Sequence, residues 1–475
     1  MAERRKQYIF KEVEIIDAGS EGMAVAKVDN KVIFVPFVVP GDIVDIKTTR
    51  KKKSFFEGKA IKFHKYSDKR TEPKCEYFGL CGGCKWQNML YEDQLFYKQK
   101  QVEDNLQRIG KFDFPDILSI KGAKDIYFYR NKLEFTFSDK KWLTDYSKDI
   151  DFNDRNMNGL GFHLPKMFDR IIDIDNCYLQ RSPSNEIRLA IREYAIENEL
   201  EFYNARKSTG LLRNLIIRTS TTGDLMVIVV FRTDEKEIIN DLLNFVSEKF
   251  SEITSLMYII NEKSNDSVSD LEAKLFKGND FIIEEMIRDE ESGTKLKFKI
   301  GPNSFYQTNS EQAYNLYKIA KEMADLSGEE TVYDLYTGTG TIANFVADSA
   351  KKVIGIEYIP SAIEDAFENS KLNKIENTDF FAGDMLKILN EDFVTENGQP
   401  EVIITDPPRA GMHDKVIKQI LNIAPEKIVY ISCNPATQAR DLSLMIEKYN
   451  IEKVQPVDMF PHTHHVENVV LLKRK

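Results

Sequence analysis

The regular alternation of strand-like and helix-like segments from residue 330 to the C-terminus is the feature that most constrains the fold of this chain. The runs TVYDLY, KVIGIE, EVIITD and KIVYIS are apolar enough for buried strands, and segments of helical length separate them. This alternation is typical of a doubly wound, largely parallel sheet. Ligands of such sheets bind at the carboxyl ends of the strands. We therefore expect a Rossmann-like domain over residues 301–475, with its site at that edge.

The remainder of the 475 residues is long enough for two more domains. Short alternating runs broken by glycines and Pro40-Gly41 predict an OB-like β-barrel over residues 1–68. Mixed strand-like and helical runs predict an α+β domain over residues 69–300. A helix at about 90–110, stopped by Gly110, is expected to pack on the catalytic domain. Residues 264–270 and the acidic stretch 284–291 are predicted to be loops.

Composition indicates a soluble cytoplasmic protein. Charged residues make up 30% of the chain, and its formal net charge is −10. No apolar run of about 18 residues is present to span a membrane, and the N-terminal MAERRKQYIF lacks the apolar core of a secretory signal. Five cysteines in 475 residues are too few for a disulfide framework.

A basic segment interrupts this acidic chain between Lys47 and Arg70. It contains ten Lys and Arg residues against Glu57 and Asp68, with four aromatic residues interleaved. Cations release counterions from a phosphate backbone, and aromatic rings stack on bases. The segment therefore suggests an RNA-binding surface, although a solvated charged face is the alternative.

A glycine-rich turn follows the first strand of the predicted sheet. Gly338 and Gly340 allow close approach to a ligand, and Glu357 ends the next strand, where its carboxylate is placed for ribose hydroxyls. With Ala343, the turn also satisfies the dinucleotide fingerprint of nicotinamide enzymes. The turn alone leaves open a nicotinamide cofactor, S-adenosylmethionine and a turn without any ligand.

The sequence Asp406-Pro407-Pro408-Arg409 at the end of a later strand favours S-adenosylmethionine over a nicotinamide cofactor. Two prolines make a stiff turn that aims a carboxylate and a carbonyl at a substrate. Methyltransferases acting on exocyclic amines usually carry an aromatic residue after the prolines. Arg409 stands there instead, which argues against an amine target.

Cys433 stands where the next strand turns into a helix, beside the same predicted pocket. Free cysteines are commonly small buried hydrophobes, which is the alternative interpretation. A helix N-terminus stabilises a thiolate, and Asn434-Pro435 fixes the turn, so a nucleophile is favoured.

The segment from Phe460 to Asn468 holds three of the six histidines and Glu467. No further His or Cys spacing completes a metal site there, so a loop that supplies a general base is preferred.

Carbon 5 of uracil needs covalent activation before it can take a methyl group. Addition of the Cys433 thiolate to carbon 6 makes carbon 5 nucleophilic, and a base must later remove the carbon-5 proton to expel the thiolate. Glu467 fits the role of base. Asp406 fits that of a group that holds the polar edge of the ring.

Taken together, these residues resemble the RNA 5-methyluridine methyltransferase family, in particular its 23S rRNA branch with a TRAM domain and an iron–sulfur cluster. The motifs are the N-terminal barrel, Cys75…Cys81-Gly-Gly-Cys84, Ser304-Phe-Tyr-Gln307-Thr-Asn309, Asp334-Leu-Tyr-Thr-Gly338, Asp406-Pro-Pro-Arg-Ala-Gly411, Ser432-Cys-Asn-Pro435 and His462 to Glu467. The resemblance implies a class I methyltransferase domain with Cys433 as nucleophile and Glu467 as base. It also implies S-adenosylmethionine contacts from Gln307, Tyr336, Thr341, Glu357, Asp384 and Asp406. The sequence departs from the family pattern at two positions. Tyr336 stands where the family often has Phe, and Thr341 stands where Asn is common.

The four cysteines other than Cys433 form a second predicted site. The spacing Cys75-x5-Cys81-x2-Cys84 with the distant Cys177 suits four metal ligands, and by spacing alone zinc and [4Fe-4S] remain equally open. The resemblance implies a [4Fe-4S] cluster with a structural role beneath an RNA-facing surface of the middle domain.

The resemblance further implies methylation of 23S rRNA by a monomer, with uridine 1939 of that RNA as the first candidate and uridine 747 as the second. A tRNA uridine methyltransferase is the alternative within the family, although that branch usually lacks both barrel and cluster. A nicotinamide-dependent oxidoreductase and a non-catalytic RNA-binding protein are alternatives from other classes.

Overall fold

The N-terminal segment forms a small closed barrel in the computed structural model, which describes residues 7–144 and 156–475. Its strands are β1 (Ile9–Ala18), β2 (Ala24–Val28), β3 (Lys31–Val35), β4 (Ile43–Lys51) and β5 (Phe55–Lys65), paired in the order β1-β2-β3-β5-β4 with β4 closing on β1. Alternate side chains such as Ile33 and Ile46 fill its interior. The predicted small barrel is thereby confirmed. Residues 1–6, part of the stretch considered above for a secretory signal, lie outside the described residues.

A long helix, α1 (Tyr91–Asn105), follows the barrel and continues into a π-helical turn through Gly110. The prediction of Gly110 as the helix stop is wrong by one residue, because Lys111 takes the left-handed conformation at φ 55°. Gly110 has another role there. A Cβ at this position would lie 2.5 Å from the ring of Phe112, so the glycine permits the ring's close approach.

The middle of the chain forms a second sheet. Within the described residues its strands are β6 (Lys132–Ser138), β7 (Gly159–His163), β8 (Ile171–Ile172), β9 (Leu212–Thr219), β10 (Leu225–Phe231), β11 (Ser255–Ile260) and β12 (Ala273–Gly278), in the order β12-β11-β10-β9-β6-β7-β8. Helices α2 (Ser184–Glu197) and α3 (Lys236–Lys249) contribute apolar side chains to its core.

The acidic stretch 284–291, predicted to be a loop, is largely a strand. An antiparallel pair, β13 (Ile282–Asp289) and β14 (Thr294–Ile300), occupies it, and Glu284 faces inward with Ile282 and Met286. The amide of Thr221 and the hydroxyl of Ser310 donate to the Glu284 carboxylate at 2.9 and 3.0 Å. These hydrogen bonds come from residues distant in sequence and satisfy an inward-facing carboxyl group. Because Glu284 places a polar residue on the buried face, the sequence pattern of a strand is interrupted, and the segment was predicted to be a loop.

The C-terminal domain is the expected doubly wound sheet. Its strands are β15 (Thr331–Leu335), β16 (Lys352–Glu357), β17 (Thr378–Ala382), β18 (Val402–Thr405), β19 (Lys427–Ser432), β20 (Tyr449–Val457) and β21 (Glu467–Arg474). In the described part of the chain their order is β17-β16-β15-β18-β19-β21-β20, with the first five parallel and β21 antiparallel to both neighbours. The helices of this part are α4 (Ser310–Ala324), α5 (Thr341–Val346), α6 (Pro360–Leu372), α7 (Met385–Ile388), α8 (Glu391–Asn397), α9 (Asp414–Ile423) and α10 (Pro435–Met445).

Helix α1 packs against this C-terminal domain. Val102 and the following Leu106 are fully buried in the same apolar core as Tyr430 of β19 and Leu442 of α10. This contact brings the segment between the barrel and the second sheet close to the carboxyl edge of the C-terminal sheet. None of the helices in the described part of the chain is both long and apolar enough to cross a lipid bilayer.

Candidate active site

Strand register places Cys433 and Glu467 at the same point of the sheet edge. Ser432 pairs with Asn468 in the antiparallel ladder between β19 and β21. The next residue along β19 is Cys433, and the preceding residue on β21 is Glu467, so the two stand opposite each other. The Glu467 carboxylate is close enough to raise the pKa of the Cys433 thiol.

Asp406 reaches this point from β18, which pairs with β19 in parallel register. The turn that follows Asp406 is tied to the Cys433 turn, because the Asn434 side chain and the Thr437 hydroxyl donate to the Arg409 carbonyl at 3.1 and 3.2 Å. Asn434 also caps α10 by accepting from the amide of Ala436. Two loops distant in sequence are therefore held in one geometry before any substrate arrives.

The electrostatic environment keeps Cys433 protonated. Burial raises its pKa to about 11, and the Glu467 and Asp406 carboxylates add to this effect, while Arg409 opposes it. The N-terminus of α10 and Arg409 favour the thiolate, whereas burial and the two nearby carboxylates favour the thiol, so the role of Cys433 as nucleophile stays a prediction.

Asp406 and Glu467 form a coupled pair of carboxyl groups. Burial raises the pKa of Asp406, and burial together with the charge of Asp406 raises the pKa of Glu467, while Arg409 lowers the pKa of Glu467. Each carboxyl group therefore holds its proton more tightly than an exposed one, and the ionisation of one affects the other. A carboxyl group that keeps its proton can donate a hydrogen bond as well as accept one.

The glycine-rich turn lies at the same sheet edge, after β15. Gly338 and Gly340 have φ values of 55° and 74°, and a Cβ at Gly338 would meet nothing within 4 Å. The amides of Gly338 and Ile359 donate to the two oxygens of Glu357 at 3.3 and 3.0 Å. Asp334 is fully buried and accepts from the hydroxyl of Thr337 and the amide of Ala343. The glycine turn therefore has free space beside Gly338, while hydrogen bonds to Glu357 and Asp334 hold its backbone.

The remaining predicted cofactor contacts surround this turn. Tyr336 has φ 65°, and burial together with the charges of Asp441, Glu357 and Asp384 raises its pKa to about 12, so it lies among these acids. Asp384 caps α7 by accepting from Leu386. Gln307 is buried in the loop before α4, where its carbonyl accepts from Asn131.

Two residues around the site had no role in the sequence prediction. Tyr317 of α4 has its hydroxyl 3.3 Å from that of Thr341, and the charges of Asp406 and Glu467 contribute to raising its pKa. In sequence it is one more apolar-face residue of a helix, so only the fold identifies it. Phe305 is 68% exposed beside the glycine turn, where its carbonyl accepts from Thr339. Phe305 belongs to the motif from Ser304 to Asn309, which carries part of the family resemblance. Only the exposure of its ring indicates that it is free to stack on a base.

The three histidines before Glu467 are neutral at physiological pH. Burial is the main cause that lowers the pKa of His462 and His464 to about 4 and that of His465 to about 3. His465 contacts the Arg409 guanidinium at 3.0 Å. In the described residues no group of three or more His, Cys, Asp or Glu is compact enough to hold one metal ion, and the histidines are no exception.

The four other cysteines line one cavity of about 410 Å³. Cys75, Cys81 and Cys84 come from the loop between the barrel and α1, and Cys177 comes from the segment between β8 and α2. They influence one another electrostatically: with burial as the main cause, the pKa of Cys84 rises to about 12 and that of Cys177 to about 11. All are free thiols. The fold therefore brings the four predicted cysteines together around one cavity.

The basic segment 47–70 divides into structural and exposed parts. Arg70 is paired with the buried carboxylate of Asp42 at 2.7 Å, and Lys69 with Asp93 at 2.6 Å. By contrast, Lys51, Lys52 and Lys53 lie exposed at the β4–β5 turn. Lys59, Lys62 and Lys65 of β5 are exposed as well. These exposed lysines are available to a polyanion.

Comparison with known proteins identifies the family. A family model described as tRNA (Uracil-5-)-methyltransferase matches residues 269–475, and a TRAM-domain model of tRNA (uracil(54)-C(5))-methyltransferase matches residues 12–59. The chain is 57% identical to an uncharacterized RNA methyltransferase of Bacteroides thetaiotaomicron, over 96% of this chain and 99% of that protein. The chain belongs to the RNA uracil-5-methyltransferase family. This membership removes the nicotinamide-dependent oxidoreductase alternative.

Two further family relatives extend over the whole chain. An uncharacterized RNA methyltransferase of Porphyromonas gingivalis is 53% identical over 97% of this chain and 99% of that protein. A solved structure, the Pyrococcus abyssi tRNA (uracil-54, C5)-methyltransferase in complex with S-adenosyl-L-homocysteine, has a TM-score of 0.73 and 28% identity. It covers 97% of this chain and 100% of that chain. The N-terminal barrel is therefore present in a tRNA enzyme as well, and the expectation that a barrel disfavours a tRNA substrate is wrong.

Proposed function

We propose that this protein transfers the methyl group of S-adenosylmethionine to carbon 5 of a uridine in RNA. The observation that carries the proposal is the meeting of Cys433, Glu467 and Asp406 at one point of the sheet edge, from β19, β21 and β18. Covalent activation of a pyrimidine requires a nucleophile, a base and a polar group for the ring, and these three side chains supply one each.

The chemistry assigned to these residues proceeds in two halves. In the first, the Cys433 thiol gives up its proton to solvent, its sulfur bonds to carbon 6 of uracil, and the electrons of the 5,6 double bond move onto the ring as an enolate. When bound, S-adenosylmethionine would supply the methyl group that carbon 5 takes up, leaving as S-adenosylhomocysteine, and its positive charge would favour the Cys433 thiolate. In the second, Glu467 takes the proton from methylated carbon 5, the double bond re-forms, and the bond between carbon 6 and sulfur breaks.

Asp406 orients the ring and stabilises its developing charge in this assignment. Because its pKa is raised, the Asp406 carboxyl can keep a proton, so that it can accept from the N3–H of uracil and donate to its O4. A donor at O4 stabilises the enolate more than the ground-state carbonyl, which lowers the barrier to addition. Phe305, exposed beside the glycine turn, is placed to stack on the base.

The residues at the glycine turn fit S-adenosylmethionine. Glu357 is fixed by two amides at the end of β16, where its oxygens can still accept from ribose hydroxyls, and Gly338 leaves open space for the ligand. Tyr336 and Asp384 complete the surroundings on that side, with Gln307 and Thr341 near the methyl-transfer point. The cofactor would lie across the carboxyl ends of β15 and β16.

We further propose that Cys75, Cys81, Cys84 and Cys177 hold a [4Fe-4S] cluster. The support is the resemblance of the motif set together with the four thiols that line one cavity of about 410 Å³. A zinc ion bound by four cysteine sulfurs is the alternative that the same set allows. Iron and sulfide analysis of anaerobically purified protein tests this; stoichiometric zinc without iron would contradict it.

For the substrate we propose a uridine of 23S rRNA, on the resemblance of the complete motif set with its four cysteines. A tRNA uridine is the second candidate, because the Pyrococcus abyssi enzyme that covers this whole chain is named for uracil 54 of tRNA. Contacts with phosphates and stacking on bases do not distinguish one RNA sequence from another. The site residues therefore do not discriminate between 23S rRNA and tRNA.

Tritium release from RNA labelled at carbon 5 of uridine tests the function and the substrate together. Unmodified 23S rRNA and tRNA transcripts are each incubated with the protein and S-adenosylmethionine. We expect release from 23S rRNA, its loss in Cys433→Ala, and one 5-methyluridine position by mass spectrometry. Release from tRNA alone would establish the second candidate. Release from neither RNA would overturn uracil-5 methylation.

A further inference from the structure

The loop that precedes Glu467 is held by a segment far away in sequence. We define residues 458–466 as the histidine loop. The amides of Lys85 and Trp86 donate to the His462 carbonyl at 2.8 and 3.0 Å. Gln94 of α1 accepts from the His462 amide at 2.8 Å, and its nitrogen lies 3.2 Å from Nδ1 of that ring. Both main-chain polar groups of His462 are therefore satisfied by residues 85–94.

A second attachment lies one turn further along α1. The Lys98 ammonium and the Asp458 carboxylate are both fully buried and lie 2.5 Å apart. Lys98 also donates to the Phe460 carbonyl at 3.1 Å, and the Tyr91 hydroxyl donates to the other Asp458 oxygen at 2.8 Å. The first half of the histidine loop thus rests on the same face of α1 as His462.

These attachments hold the loop in a conformation that it would not adopt alone. His462 has φ 64°, which costs free energy for a residue with a side chain and persists only where the surroundings enforce it. Gln94 is itself fixed, because its nitrogen donates to the carbonyls of Trp86 and Met89 at 3.0 and 2.9 Å. Glu467 follows His462 by five residues and pairs with Val457, the residue before the loop, so the histidine loop closes directly on Glu467 and helps to set where its carboxylate stands.

We propose that Gln94 is a positioning residue for the removal of the carbon-5 proton, acting through the histidine loop on Glu467. This inference rests on the proposed function, because that function gives Glu467 its role as base. Cys433 lies on the β19–α10 turn, whose contacts with the Arg409 carbonyl through Asn434 and Thr437 do not involve the histidine loop. Loss of the Gln94 contacts therefore slows the second half of the reaction and leaves the first intact, so the covalent RNA adduct accumulates.

Gln94→Met tests the proposal, because Met has a similar length without hydrogen-bonding groups. The matched control is Gln99→Met on the same helix, since Gln99 accepts from the amide of Ile120 and does not bond the histidine loop. Removing Lys98 instead would leave Asp458 buried without its cation and risks unfolding the protein.

We expect Gln94→Met to lower kcat by about tenfold or more with the KM for RNA unchanged, since small displacements of a catalytic group cost rate without binding. Its RNA adduct on a denaturing gel should rise toward the level of Glu467→Gln, while Gln99→Met matches the wild type. Wild-type turnover without adduct, or loss of adduct together with methylation, would overturn the proposal.

Hydrogen exchange without RNA separates this inference from the proposed function. In Gln94→Met, the amides of residues 458–467 should exchange faster, and in Gln99→Met they should not. Unchanged protection of the loop in Gln94→Met overturns the positioning role whatever the activity shows. A wild-type protein that releases no tritium from any RNA overturns the function, whereas the exchange result depends on the loop alone.

Discussion

At the scale of single residues, the ionisation of Cys433, the proposed nucleophile, is restrained by the protein. Burial, Glu467 and Asp406 together raise its pKa to about 11 against the opposing effect of Arg409. A thiol held in its protonated form resists oxidation and stray alkylation, because the thiolate is the reactive species. The reactivity of the Cys433 thiol therefore depends on which cation and which base lie beside it.

Alkylation of Cys433 should therefore be slow at pH 7 and rise about tenfold per pH unit up to about pH 10, as the thiolate fraction grows. Glu467→Gln removes a carboxylate and should speed alkylation at pH 8, whereas Arg409→Ala should slow it. Mass spectrometry of the Cys433 peptide after iodoacetamide treatment measures the rates. The exposed Glu447→Gln serves as a control, and a rate already constant by pH 7 would contradict this account.

At the scale of elements, the histidine loop is stabilised by neutral imidazoles. The pKa of His462 falls to about 4 in the folded protein, chiefly through burial, against about 6.5 in the unfolded chain. The unfolded state then binds the proton first on acidification. The contribution of His462 to stability is complete above pH 6.5 and is lost as the pH falls toward 4.

His462→Asn should remove this acid sensitivity, since Asn tolerates a positive φ better than other polar residues. Between pH 7.5 and pH 5 the wild type should lose about 2 kcal/mol more stability than the variant, from 1.36 kcal/mol per pH unit below 6.5. Urea denaturation at the two pH values measures the difference. His413→Asn, at the exposed cap of α9, should retain the wild-type dependence; the same loss in both variants would refute the assignment to His462.

The short segment from Cys84 to Trp86 contacts both the cysteine cavity and the histidine loop. Cys84 lines the cavity, and the next two residues donate to the His462 carbonyl. Removal of the proposed cluster by oxidation and chelation should therefore speed hydrogen exchange first in residues 75–90 and then in residues 458–467. The barrel strands, residues 9–65, provide the internal reference. Faster exchange confined to the cysteine segment would show that the two sites are independent.

At the scale of the whole molecule, the barrel adds a cationic surface to an acidic chain. Formal net charge is −10, yet Lys51, Lys52 and Lys53 stand together at the exposed β4–β5 turn. Association with a phosphate backbone depends on such local clusters and weakens with salt. We therefore expect the barrel to contribute RNA affinity, while the proposed chemistry takes place at the C-terminal sheet.

Replacing these three lysines by Gln should raise the KM for RNA and reduce the slope of log affinity against log salt by about 2. Alkylation of Cys433 in the same variant should stay at the wild-type rate, because the active site is intact. Replacing Lys448, Lys453 and Lys473, which are exposed on or next to β20 and β21, is the control for lost charge. Equal effects from both triple variants would mean that the barrel has no special part in binding.

The sequence by itself determined the local features of this protein. Strand and helix periodicity in residues 330–475 predicted the doubly wound sheet, because burial on both faces demands apolar strands. The carboxyl ends of β16, β18 and β19 placed Glu357, Asp406 and Cys433 at one sheet edge by topology alone. Glycine and proline spacing likewise predicted the small barrel.

Only the tertiary structure decided the properties that depend on neighbours distant in sequence. The inward Glu284 needed Thr221 and Ser310, so its strand looked like a loop. The pKa of Cys433 depends on burial and on carboxyl groups that follow or begin two other strands, which no pattern around its own helix N-terminus records. The hydrogen bonds from α1 to the histidine loop join residues 360 and 368 positions apart. Burial and charge act through space, and a linear pattern does not record which groups will meet.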